Sequence, residues 1–263
     1  MLLNNRYELS DQAGRDATST VYRGIDTYTG KSVAIKVLRP IYSTDAKRTI
    51  PFHNSAKLSI ALQHPNIVQV LDYGQDDENY YIVREFVEGI DLRHYFRSRG
   101  GILDINRVII IAGSVASALG YAHDREIVHG DLKPQNILVV RGMHPPVKVA
   151  DFGMSSIGVT LGAIQYRSPE QLQAETVSPG PATDVYSLGI LMYEMMVGYT
   201  PFDGDTPVSV AIQHMHEIPI PPTIFNPNIP QSLEGIVMKC LEKEPEKRLK
   251  NGVELTRALE GII

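Results

Sequence analysis

The sequence predicts an α+β protein in which a small strand-rich part is followed by a larger, mostly helical part. Three observations predict it. Short β-branched runs separated by turn residues crowd positions 6–37 and return at 80–89. A single helix-like stretch, roughly Pro51 to Gln63, interrupts them, with Phe52, Ala56 and Ile60 at helical spacing. From position 91 onward, long apolar segments with helix-capping and helix-stopping residues dominate.

Taken in order, Tyr7-Glu8-Leu9 opens the strands and Thr20 to Ile25 follows. Thr29-Gly30-Lys31 makes a turn before Ser32 to Val37. The proline at 51 suits a first helical turn. Tyr80 to Gly89 is a strand leading into the second part. Asp91 caps a helix that runs to about Arg99, Gly100-Gly101 breaks it, and Ile105 to Asp124 forms the next. Ile127-Val128, Ile137 to Val140 and Val147 to Ala150 are short apolar strands, with a hairpin turn at Met143-His144-Pro145-Pro146. Asp184 to Met196 is apolar nearly all round, as a buried helix is. Gly198 to Phe202 closes it, Pro219 to Pro222 is a linker, and helices start near Gln231 and Gly252.

Composition narrows the function. With 263 residues, 43% of them hydrophobic, the chain can bury a substantial core in one or two domains. A net charge of -5 without any basic run argues against nucleic acid as a partner. Cys240 is the only cysteine, which excludes an internal disulfide and fits a reducing, cytoplasmic compartment. A buried small hydrophobe is the simplest reading of it. Asn4, Asn5, Arg6 and Glu8 interrupt any apolar leader, so no signal peptide is expected. The longest uncharged stretch, Val108 to Ala122, is too short to span a bilayer and reads as a core helix, so no membrane segment is expected.

The polar residues that carry chemistry fall between the short strands. His129-Gly130-Asp131-Leu132-Lys133-Pro134-Gln135-Asn136 and Asp151-Phe152-Gly153 set two acids, a lysine and a carboxamide on loops of one supersecondary unit. Val33-Ala34-Ile35-Lys36 precedes His64-Pro65-Asn66-Ile67-Val68, and Gly162 to Glu170 reads Gly-Ala-Ile-Gln-Tyr-Arg-Ser-Pro-Glu. Together these resemble the catalytic domain of eukaryotic-like protein kinases, in the style of bacterial serine/threonine kinases. The resemblance runs from Tyr7 to Leu259.

That resemblance implies a bilobal protein-kinase fold in a single domain, 1–263. The N-lobe, about 6–84, would be an antiparallel sheet with one main helix. The hinge would be about 85–89, and a mostly helical C-lobe about 90–263. It also implies ATP and Mg²⁺ as cofactors and a protein substrate or protein-binding partner. Asp131 would accept the substrate hydroxyl proton, with Lys133 and Lys36 neutralising phosphate charge, and Asn136 and Asp151 would hold Mg²⁺. Gly14 would lie against the phosphates. Val21, Ala34 and Leu138 would enclose adenine, and Glu85 to Val87 would supply the hinge contacts. Glu170 would pair with Arg248, and Asp184 would reach back to the catalytic-loop backbone.

Five departures stand beside these matches. Asp16 replaces a phosphate-loop glycine, where a carboxylate repels phosphate unless it points away. Ser55 stands where the helix glutamate that pairs with the strand lysine is expected, and no Glu lies between Val37 and His64. Lys36 then turns either to Asp151 or to the nucleotide alone. Arg84 occupies the deep, usually apolar hinge position. Either it snorkels outward, or it binds Asp151 or fills the pocket. Gly130 replaces the arginine before the catalytic acid, so a phosphate on Ser155, Ser156 or Thr160 would lack its cation. Ala163 replaces a threonine. Two readings therefore stay open: a serine/threonine kinase of impaired or atypical activity, and a pseudokinase that binds protein or nucleotide without phosphotransfer.

Overall fold

The computed structural model describes residues 1–140, 142, 147–153, 161–173 and 179–262, with the side chains of 161–163 left out. The turn at 143–146, the loop residues Ser155, Ser156 and Thr160, and the Ala163 side chain lie outside that description.

The first lobe is an antiparallel sheet of six strands. They are β1 (Leu2–Leu3), β2 (Tyr7–Arg15), β3 (Ser19–Asp26), β4 (Lys31–Leu38), β5 (Val70–Asp76) and β6 (Asn79–Glu85), in the order β1-β2-β3-β4-β6-β5. Alternation along β4 turns Val33, Ile35 and Val37 into one small core with Leu3, Tyr7, Tyr81 and Val83. The turn before β4 is closed by Gly30, whose φ of +69° suits glycine.

Helix α1 (Ala46–Ser59) begins earlier than the sequence suggests. Asp45 caps it, accepting from the Lys47 backbone N–H at 2.9 Å. Pro51 therefore lies inside the helix rather than at its start, where it removes one backbone bond. Burial of Phe52 and Ala56 against Leu38, Val70 and Ile82 offsets that loss. Propensity placed the start at Pro51; capping and packing moved it.

The second lobe is built on α3 (Ile105–His123) and α5 (Pro181–Val197), both largely buried. Asp91 and Asp104 cap α2 (Leu92–Arg97) and α3, accepting from the backbone N–H groups of His94 and Arg107 at 2.9 Å each. Gly100 and Gly101, both at φ +84°, make the break between the two helices. By length and composition alone α3 could cross a membrane, but here it is a core helix. The helices α4 (Pro169–Leu172), α6 (Pro207–His216), α7 (Gln231–Cys240) and α8 (Gly252–Glu260) pack around the pair. The start of α6 is marked by Thr206, whose hydroxyl accepts from the Ser209 N–H, a cap the sequence reading left unassigned. Cys240 is fully buried and its thiol is pushed up to about 12 by burial, as suits an inert core residue.

A three-stranded sheet, β7 (Gly89–Asp91), β8 (Ile137–Val140) and β9 (Val147–Val149), lies under the cleft. Ile127-Val128, expected as a strand, joins no ladder. The Ile127 N–H closes the end of α3 on Ala122 O at 3.0 Å, and the next donors turn to Asp184. The lobes are joined by Val68 and Val149, which bond at 2.8 Å, and by Asn66 Nδ2 to Val147 O at 2.8 Å.

Glu170 and Arg248 form a bidentate pair, both contacts at 2.8 Å, with Arg248 only 4% exposed. Burial pushes the Glu170 carboxyl up, but the hydrogen bonds and charge of Arg248 more than offset it and hold it below its ordinary 4.5. A carboxylate depressed in the folded state contributes stability that is complete above 4.5 and is lost as pH falls through the folded value. Arg248→Met strands the acid and should cost about 3–5 kcal/mol at neutral pH. Urea unfolding at neutral and acidic pH measures this, and the variant should lose less stability than the wild type on acidification. An equal loss in both would contradict the pairing.

Candidate active site

The loop from His129 to Asn136 is held by one buried acid. Asp184 accepts from the His129 N–H at 2.7 Å and the Gly130 N–H at 2.8 Å. It also meets His123 Nε2 at 2.9 Å, while His123 Nδ1 accepts from the Gly252 N–H at 3.1 Å. Those partners assign the Nε2–H tautomer to His123. His129 is fixed in the same way, with Nε2–H on Ala150 O at 2.8 Å and Nδ1 accepting from the Asp131 N–H at 3.2 Å. Gly130 has φ +72°, and its carbonyl accepts from Gln171 Nε2 at 2.8 Å. His123 and Gln171 carry no local signal, because their partners lie far along the chain.

On this frame Lys133 Nζ bonds Asp131 Oδ2. Asn136 Nδ2 donates to the Asp131 carbonyl at 2.8 Å. Asp131 and Lys133 are both partly exposed to the cleft. The loop thus presents a carboxylate, an ammonium and a carboxamide in one place. Arg167, another residue without a local signal, lies near enough for the charge of Asp131 to act on it.

The opposite wall is a chain of four alternating charges. Lys36 Nζ, 3% exposed at its side chain, lies 3.0 Å from Asp151 Oδ2 and 3.4 Å from Asp16 Oδ2. Arg84 Nη1 lies 2.6 Å from Asp151 Oδ1. Of the two readings of Arg84, the guanidinium turns inward onto the acid and does not snorkel. The cavity left behind it, about 10 Å³ and lined by Ser55, Ser59 and Phe152, has room for about one water. Lys36 likewise turns to Asp151. Burial pushes the Asp151 carboxyl up, but the charges of Arg84 and Lys36 more than reverse this and hold it well below the usual carboxylate range. Asp151 sits at φ +65°, a backbone conformation uncommon outside glycine.

Asp16 does not simply point away. Its carboxylate organises the turn, accepting from the Thr18 N–H at 2.8 Å and the Ser19 N–H at 2.6 Å, and its other oxygen faces Lys36. Gly14 pairs with Val21 across the same hairpin, and a Cβ there would meet nothing within 4 Å. Val21, Ala34, Val87 and Leu138 are only half-buried, apolar surfaces left facing the cleft. The Glu85 side chain is committed elsewhere, to Lys148 Nζ at 2.7 Å and the Gln69 N–H at 2.9 Å, so any contact it makes in the cleft comes from its backbone.

Asn136 and Asp151 are hard oxygen donors of the kind Mg²⁺ takes together with waters and phosphates. The carboxamide oxygen of Asn136 accepts no hydrogen bond among the described residues. The donor set therefore suits the ion, although Asp151 is already shared by two cations.

The chain as a whole resembles known proteins in sequence and fold. The protein kinase domain family matches residues 7–258. The chain is 35% identical over 262 residues to the serine/threonine-protein kinase PrkC of Bacillus subtilis, covering 96% of this chain and 40% of that protein. It is 36% identical over 268 residues to PknB of Mycolicibacterium smegmatis, covering 96% of this chain and 42% of that protein. The crystal structure of the Mycobacterium tuberculosis PknI kinase domain superposes with a TM-score of 0.80 at 26% identity, covering 98% of this chain and 96% of that one. The chain belongs to the protein kinase domain family, as a domain of bacterial serine/threonine type. It spans about two fifths of the length of the curated relatives it matches.

Asp16 is the more exposed carboxylate on Lys36, so a phosphate that recruits Lys36 would have to compete with it. Asp16→Asn keeps an oxygen for the turn and removes the charge. It should tighten ATP binding by roughly two- to fivefold, the range of a partly exposed ion pair. Equilibrium titration with a fluorescent ATP analogue measures it; unchanged or weaker binding would refute the competition.

Proposed function

We propose that this domain is an ATP-dependent serine/threonine protein kinase, transferring the γ-phosphate to hydroxyls of a protein substrate at a rate limited by how Lys36 is held. The observation that carries the reading is the cluster of Asp131, Lys133 and Asn136 on a loop locked by Asp184. Asp131, whose Oδ2 is held by Lys133, would accept the substrate hydroxyl proton as that oxygen bonds to phosphorus and the bond to the ADP oxygen breaks. Lys133, already beside Asp131, neutralises the transferred group, and Lys36 neutralises the phosphates behind it. Val21, Ala34 and Leu138 would enclose adenine, the backbone of Glu85 to Val87 would bind its edge, and Gly14 would lie by the phosphates. Asn136 and, once Arg84 is displaced from it, Asp151 would hold Mg²⁺, which supplies charge neutralisation when bound. The names of the relatives, all serine/threonine-protein kinases, support the substrate class.

One observation favours a second reading, a nucleotide- or protein-binding module without transfer. Asp151 is bound by both Arg84 and Lys36, and Ser55 offers Lys36 no carboxylate. The readings separate in a transfer assay to a generic protein acceptor. Asp131→Asn should lower transfer by about 10²–10⁴-fold, the scale of a general base, while ATP still binds. No transfer by the wild type with Mg²⁺ or Mn²⁺ would leave the second reading.

The vacancy itself can be refilled. Ser55 lines the same small cavity as Arg84 and Asp151. Ser55→Glu with Arg84→Met should raise the transfer rate by roughly tenfold or more, equivalent to about 1.4 kcal/mol of barrier. An unchanged rate would mean that the hold on Lys36 does not limit catalysis.

A further inference from the structure

We infer that Arg84 is a built-in counter-cation for Asp151, and that it makes nucleotide binding to this domain independent of a divalent metal ion. The inference rests on the nucleotide-binding part of the reading above. Its basis is the geometry of the four charges. Arg84 Nη1 is 2.6 Å from one oxygen of Asp151, and Lys36 Nζ is 3.0 Å from the other. Both cations are buried, and among the described residues Arg84 Nε has no hydrogen-bond partner, so the contact with Asp151 is the one that compensates the buried guanidinium. A divalent ion approaching Asp151 would meet two fixed positive charges in a site with little water to screen them. It could reach the carboxylate only by displacing a guanidinium that has about one water's worth of space behind it.

A nucleotide meets a different field. Its phosphates need a cation, and Lys36 can supply one by exchanging Asp16, on the exposed side, for a phosphate oxygen. Asp151 stays neutralised by Arg84 during that exchange, so no metal is required to prevent repulsion between the acid and the phosphates. Arg84 thus performs the electrostatic part of a metal's work for binding. It cannot bridge phosphate oxygens, so the requirement of transfer for a metal is untouched.

The test is direct binding. A fluorescent ATP analogue is titrated into the wild type, Arg84→Met and Arg84→Gln, in EDTA and in excess Mg²⁺. The wild-type Kd should agree within about twofold between the two conditions, whereas Mg²⁺ should tighten binding to both variants by roughly tenfold or more. A wild type that gains as much from Mg²⁺ as the variants do overturns the inference. A second measurement needs no nucleotide: Mn²⁺ alone should raise the melting temperature of the variants and leave the wild type unmoved. Equal stabilisation of all three also overturns it. If no protein binds the analogue under any condition, the nucleotide reading fails, and the Mn²⁺ titration still decides whether Arg84 blocks the metal from Asp151.

Discussion

Asp184, fully buried at the N-terminal end of α5, accepts hydrogen bonds from two successive backbone N–H groups of the loop from His129 to Asn136 and from His123 of α3. The loop has no ladder of its own at that point, so without this acid its buried donors would be unsatisfied. His123 passes the constraint on to the N-terminus of α8 through Gly252. One carboxylate thereby fixes where Asp131 stands relative to the whole helical lobe. Such a site is precise because its support is made of packed helices rather than of the loop itself.

The two sides of the cleft are held by different physics. One wall is a set of short-range hydrogen bonds around Asp131, each satisfied within its own loop. The wall facing it is a chain of alternating charges, Asp16, Lys36, Asp151 and Arg84, drawn from four separate elements. It is electrically balanced without any ligand. A balanced chain resists the removal of any member, because each leaves an uncompensated buried charge. Its members are unequally exposed, and Asp16 is the one open to solvent. That asymmetry makes the turn at Asp16 the exposed end of the chain of charges and Arg84 its buried anchor.

The legibility of the fold followed the length scale of the interactions. Caps and breaks such as Asp91, Gly100-Gly101 and Gly198 were readable because they act within a few residues. The start of α1 was misplaced because Pro51 gives a strong local signal that core packing overrides. Ile127-Val128 looked like a strand because β-branched residues mark extended backbone, but no neighbouring strand is available to it. In the site, the Glu170–Arg248 and Asp184 contacts were legible through the resemblance to kinases. His123, Gln171 and Lys148 were not, since each serves a partner that only the folded chain brings near.

By itself the sequence determined the kind of domain and the identity of the groups facing the cleft, because those depend on residue type and order. It also determined what was missing, the helix glutamate that the resemblance to kinases implies for Lys36, since no Glu lies between Val37 and His64. Only the tertiary structure decided what filled the gap. Arg84 and Asp16 are 68 residues apart in the sequence, and neither reveals its partner locally. Whether a buried arginine faces solvent or an acid is settled by the cost of leaving it unpaired, and that cost exists only once the lobes have closed around it.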